Sequence, residues 1–257
     1  MSITAFSWQP APDALLLPAN EVHVWRMPLD WPAAQVAQLR RYLNSEEQQR
    51  ADRFHFPQHR AHYTAARAVL RILLGRYLQV APQAVSFTYN AYGKPALGTA
   101  DTQPQLHFNV SHSGALALYA FTYNRPVGVD VEQMRANVDF LGLSKQVFSA
   151  QEQQLFRMLP PAQIMDAFYN GWTRKEAFIK AKGMGLSLPL EQFDVTMTPG
   201  EPARLCATAF DPADVNRWSM TELAPGEGYK GALVVEGSHW VLQCWQLDPS
   251  TVILPSL

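Results

Sequence analysis

Two long helical stretches, each behind a capping-box signal and each followed by short strand-like runs, constrain the fold more than any other feature of this chain. Ser45 with Gln48 is the first signal and Ser149 with Glu152 the second, and Ser45-Glu-Glu-Gln-Gln49 echoes Ser149-Ala-Gln-Glu-Gln-Gln154. Apolar residues at helical spacing, among them Tyr63, Val69, Leu70, Leu73, Leu74 and Tyr77, predict a first helix from Arg60 to Leu78. The second runs from Ala162 to Lys182. Strand patterns lie at 22–27, 85–89, 106–110, 115–121 and 127–131, then at 193–197, 217–222, 229–235 and 240–245. The order implies an α+β fold: a pseudo-twofold pair of similar subdomains, each a long helix packed on a small antiparallel sheet. The halves would span 21–125 and 126–257 behind an irregular, Pro-containing lead-in over 1–20, with a ligand cleft between them.

Composition narrows the function. With 47% hydrophobic and 17% charged residues over 257 positions, the chain can bury a core without external staples. A net charge of −1 disfavours a general nucleic-acid or membrane-surface binder, whose affinity needs many uncompensated cations. Cys206 and Cys244 are too few for a disulfide framework and suggest a reducing compartment. The N-terminus has no basic start, its apolar run from Ala14 to Leu17 is too short for a signal peptide, and nothing reaches the ~20 apolar residues of a spanning helix. The expectation is a soluble, cytoplasmic protein.

In Val127-Gly-Val129-Asp130-Val131-Glu132 the valines share one face of a strand, which puts both carboxylates on the other. Two such charges about 4 Å apart repel by roughly 4 kcal/mol at an effective dielectric of 20, so a half-buried pair wants a cation or a proton. On the second long helix, Phe168, Trp172 and Ile179 form an apolar stripe, with Glu176 and Lys180 four residues apart on a flanking face. Taken separately, these are a solvated strand face and a surface ion pair. Together Asp130, Glu132 and Glu176 would make an all-oxygen site suited to Mg²⁺, with Lys175 and Lys180 as phosphate partners. The segment Phe108-Asn-Val-Ser111-His112-Ser-Gly114 lacks the glycines of a nucleophile elbow and suits a phosphate cradle better, while Lys94 lies in a Gly-Lys-Pro turn of either meaning.

In order and spacing, Tyr92-Gly-Lys-Pro95, Phe108–Gly114, Val127–Glu132, Trp172-Thr-Arg-Lys-Glu-Ala-Phe-Ile-Lys180 and Gly183–Leu190 resemble the motifs of the 4′-phosphopantetheinyl transferases, of the large, pseudodimeric, surfactin-synthetase-activating type. The resemblance spans about 22–235. It implies a monomer that transfers the phosphopantetheine arm of coenzyme A to a serine of an apo acyl or peptidyl carrier protein, using Mg²⁺ or Mn²⁺. Asp130, Glu132 and Glu176 match the family's metal carboxylates, with Glu176 the candidate base and Lys180 the pyrophosphate partner. By the same resemblance Lys94, Ser111 and His112 would hold the adenosine and its 3′-phosphate, and Lys175 would contact the phosphates. Gln48 and Ala51 replace basic residues that family members place here, which turns the 3′-phosphate toward Arg53, Arg60 or Thr64. Carriers present an acidic helix, and the stretch from Val138 to Phe156 is apolar enough, beside Lys145, to dock one or to be core. Two other readings stay open: a coenzyme A binding module without transferase activity, and a metal-dependent phosphodiesterase.

Overall fold

The fold, taken from a computed structural model, is described over residues 7–12, 15–98 and 105–249. Met1–Phe6 of the lead-in, Ala14 and the end of the chain lie outside those residues. The first half runs β1 (Gln9–Pro10), β2 (Glu21–Pro28), α1 (Ala33–Leu39), α2 (Ser45–Asp52), α3 (Pro57–Leu78), β3 (Phe87–Tyr89), β4 (Pro95–Leu97), β5 (Leu106–Ser113) and β6 (Leu116–Tyr123). The second runs β7 (Val127–Gln133), α4 (Phe140–Val147), α5 (Ala150–Met158), α6 (Ile164–Lys182), β8 (Phe193–Val195), β9 (Leu205–Thr208), α7 (Asp214–Arg217), β10 (Trp218–Leu223), β11 (Tyr229–Glu236) and β12 (Val241–Gln246).

Period-two alternation decides what each strand faces. In β2, Trp25 and Met27 join Val69, Leu70, Leu73 and Leu74 of α3 in one core, while Val22 and Val24 point the other way. There they meet Val127, Val129 and Val131 of β7 and Leu233 and Val235 of β11, so the two main sheets pack face to face. On the far side of the second sheet, Ala177, Phe178 and Ala181 of α6 pack against Ala232 and Val234. The layers are therefore helix, sheet, sheet, helix, and each fully buried Val, Leu or Phe contributes about 1.5–3 kcal/mol relative to exposure. No helix among the described residues is long and apolar enough to cross a membrane.

Several boundaries differ from the sequence reading. The first capping box is Asn44 with Glu47, one residue upstream of Ser45 and Gln48: the Asn44 side chain accepts from the Glu47 N–H at 2.9 Å, and Glu47 accepts from the Asn44 N–H at 3.0 Å. The second, Ser149 with Glu152, stands as read. Helix α3 begins at Pro57 and not Arg60, because proline at the first helical turn gives up an N–H that has no partner there anyway. The C-terminal strand crosses over: β12 lies between β1 and β2, parallel to both, in the sheet order β1-β12-β2-β6-β5. The first sheet is thus mixed, and a strand read as part of 126–257 completes it. The second sheet, β10-β11-β7, is antiparallel.

Gly128 sets the distance between β7 and α6. A Cβ there would lie 2.0 Å from the Ala177 carbonyl oxygen and 2.4 Å from the Ala181 nitrogen, both backbone atoms that cannot step aside. Gly128→Ala must push the helix off the strand, at a cost of about 1–3 kcal/mol or more. The expected result is a lower urea midpoint together with reduced activity; a variant with wild-type midpoint and activity would contradict this backbone contact.

Candidate active site

Because Val127, Val129 and Val131 point into the inter-sheet core, Asp130 and Glu132 point toward α6, where Glu176 and Lys180 sit one turn apart. Asp130 is only 2% exposed. Its Oδ1 accepts from Lys180 Nζ at 2.6 Å and from the Ser111 hydroxyl at 2.8 Å, and Lys180 Nζ also donates to Ser111 Oγ at 2.9 Å. Glu132 accepts from the Ser113 hydroxyl at 2.7 Å. Burial raises the pKa of Asp130 and of Glu132 despite these donors. Burial also raises that of Glu176, and the neighbouring charges of Asp130 and Glu132 push it the same way against the pull of Lys180. The structure thus brings together Asp130, Glu132, Glu176 and Lys180, and adds Ser111, which the resemblance placed at the adenosine and its 3′-phosphate.

Asp130 Oδ2 is buried without a hydrogen-bond partner. An orphaned carboxylate oxygen among three acids of raised pKa suits a divalent cation. Among the described residues no group of three or more His, Cys, Asp or Glu side chains is placed to hold a metal ion. Mg²⁺ does not require such a group, since it is commonly held by one or two carboxylates plus substrate phosphates. The donor set therefore fits a cation that arrives with a phosphorylated substrate.

Two lysines are placed otherwise than anticipated. Lys175 does not reach the cleft: it is wholly buried, pairs with Glu152 at 2.7 Å and donates to the carbonyls of Leu190 and Phe193. One residue of helical rotation separates the cleft face from this interior face, and sequence alone did not reveal that α6 is covered on both. Lys94 donates to the carbonyls of Lys180, Val127 and Ala181, and burial lowers its pKa to about 8. It clips the turn at 90–95 onto the C-terminus of α6, with Asn90 donating to the Gly183 carbonyl at 2.6 Å, so its donors are committed to backbone.

Similarity to known proteins fits this arrangement. Residues 126–234 match the 4′-phosphopantetheinyl transferase superfamily, and residues 30–123 match the 4′-phosphopantetheinyl transferase N-terminal family. The chain is 44% identical over 239 residues to the 4′-phosphopantetheinyl transferase HetI of a Nostoc species, covering 93% of this chain and 98% of that one. The chain belongs to the 4′-phosphopantetheinyl transferases. A putative member from a Synechocystis species is 35% identical, with 86% of both chains covered. The transferase Sfp of Bacillus subtilis is 34% identical, with 61% of this chain and 67% of that one covered.

The remaining residues that the family resemblance singled out line the first half of the transferase. His112, at the end of β5, has its pKa lowered by desolvation and by the nearby Lys180 and His62. Thr64 is buried in α3, and Arg60 is exposed, donating to the Phe54 carbonyl at 3.4 Å. Arg53 borders a groove with Arg50, Tyr63, Arg67, Phe87 and Tyr89. Arg67 stacks on the Phe87 ring at 3.9 Å and is partly neutralised by Glu47. Sequence reasoning did not single out Arg50 or Arg67; their convergence needs α2 folded back on α3. In the stretch from Val138 to Phe156, Val147, Phe148 and Phe156 are core, and the large exposed apolar residues of α4 and α5 are Leu141, Leu155 and Met158.

Proposed function

We propose that this transferase moves the 4′-phosphopantetheine arm of coenzyme A to a serine hydroxyl of an apo acyl or peptidyl carrier protein, releasing adenosine 3′,5′-bisphosphate. The observation that carries this reading is the seam of three carboxylates of raised pKa and one ammonium, Lys180, in a chain of this family. The carrier serine oxygen attacks the phosphorus that bears the pantetheine; a new O–P bond forms, and the bond from that phosphorus to the bridging oxygen breaks. Glu176 accepts the serine proton. Lys180, swinging from Asp130, meets the charge on the departing phosphate.

Asp130, Glu132 and Glu176 would hold Mg²⁺, or Mn²⁺ with the same oxygen chemistry, and the ion would neutralise the pyrophosphate. Ser111 holds Lys180 and Asp130 on the phosphate side, His112 offers an imidazole donor there, and the arginine groove, with Arg53 at its border, extends the positive lining toward the nucleotide end. By the family resemblance the enzyme works as a monomer, and two cysteines, too few for a disulfide framework, suit a cytoplasmic one. Chromatographic quantification of adenosine 3′,5′-bisphosphate tests the reaction. Release should need coenzyme A, a divalent cation and the carrier's serine together. Release that persists when that serine is alanine would point to a phosphodiesterase, and coenzyme A binding with no release to a binding module.

A further inference from the structure

β5 and β7 are edge strands of different sheets, and side chains, not a backbone ladder, join them where the acids lie. Asn109 Oδ1 accepts the Val129 N–H at 2.9 Å, Ser111 Oγ the Val131 N–H at 3.3 Å, and Ser113 Oγ the Gln133 N–H at 3.1 Å. Every second residue of β5 thus accepts from every second residue of β7. This satisfies N–H groups that the outer edge of the second sheet would otherwise leave bare.

A serine hydroxyl has one proton to give and two lone pairs to accept with. Once Oγ accepts from the β7 backbone, its proton is free for a neighbouring acceptor, and both serines give it to the acid one residue earlier on β7. Ser111 donates to Asp130 and Ser113 to Glu132. The two are not equivalent. Ser111 also receives Lys180, so its removal would disturb the ammonium and the phosphate side together. Among the described residues the side-chain hydrogen bonds of Ser113 go to β7 alone.

We infer that Ser113 is a positioning residue for Glu132: anchored by the Gln133 N–H, its hydroxyl holds one oxygen of the Glu132 carboxylate and fixes the orientation in which that acid is presented beside Asp130. The inference rests on the reading of Glu132 as a member of the reacting cluster. Hydrogen bonds to a ligating group from the surrounding shell typically change metal affinity or activity by about 10–100-fold when removed. Ser113→Ala deletes the donor with little change of volume, and Ser113→Thr keeps it.

The test is titration of Mn²⁺ by electron paramagnetic resonance, in the presence of coenzyme A, for wild type and both variants. Ser113→Ala should weaken Mn²⁺ binding about 10-fold. Ser113→Thr should restore it, and at saturating metal the coenzyme A KM should not move. Thermal melting of the metal-free chains separates a general packing defect from the effect on Glu132. Equal Mn²⁺ binding by wild type and Ser113→Ala would overturn the inference, as would failure of Ser113→Thr to restore binding in a chain that melts normally. If the wild type modifies no carrier, the proposed reaction falls, while the Mn²⁺ comparison still decides the role of Ser113.

Discussion

Glu176→Gln is expected to fold as the wild type does and to lose about 10²- to 10⁴-fold in kcat, the usual share of a positioned general base. The amide keeps the shape of the side chain but cannot accept the serine proton. The pH dependence gives a sharper result. Burial, then the charge of Asp130, lifts the Glu176 pKa above its ordinary value, with Glu132 adding to the rise and Lys180 opposing it. A base must be deprotonated, so activity should disappear as pH falls through that raised pKa and be fully present above it. The acid limb of the kcat/KM profile, which reports the free enzyme before metal and coenzyme A bind, should therefore lie at higher pH than an ordinary glutamate would place it. Glu176→Gln should leave a low residual rate without that limb, and an unchanged limb in the variant would assign it to another group.

The other large effect lies away from the cleft. Glu152 accepts Lys175, the Val195 N–H at 2.7 Å and the Ser149 N–H at 2.9 Å, itself 1% exposed. Glu152→Ala leaves the Lys175 ammonium buried with only two carbonyls for partners. Breaking a buried pair from one side typically costs about 3–5 kcal/mol. The loss should appear as a lowered urea midpoint. Lys175→Met should also lower stability while leaving the coenzyme A KM of the folded fraction unchanged, because the ammonium never reaches the substrate. A coenzyme A KM raised more than about 10-fold at an unchanged midpoint would make Lys175 a phosphate ligand after all.

Both predictions bear on what the sequence could disclose. Alternation along 127–132 was enough to place Asp130 and Glu132 on one face, and helical spacing was enough to pair Glu176 with Lys180, because each follows from the period of a single element. The long helices emerged for the same reason, within a few residues at their starts. What periodicity does not carry is the identity of the partner across space. Lys175 reads as a phosphate partner because its charge is visible and Glu152, twenty-three residues away, is legible only as a cap; one carboxylate does both tasks. β12 had the alternation of a strand, but nothing local says that it leaves its own half to run parallel to β2. Asn44 was passed over for Ser45 because both residues cap well and only the first helical hydrogen bond chooses between them. Ser113 gave no signal beyond its period-two spacing from Ser111 and Asn109.

The most direct test of the central claim is the intact mass of a purified apo acyl or peptidyl carrier protein after incubation with this enzyme, coenzyme A and Mg²⁺. The account predicts a gain of one phosphopantetheine on the carrier serine, absent with Glu176→Ala and absent without divalent metal. No gain across carriers of several types, from a folded enzyme that binds coenzyme A, would contradict it.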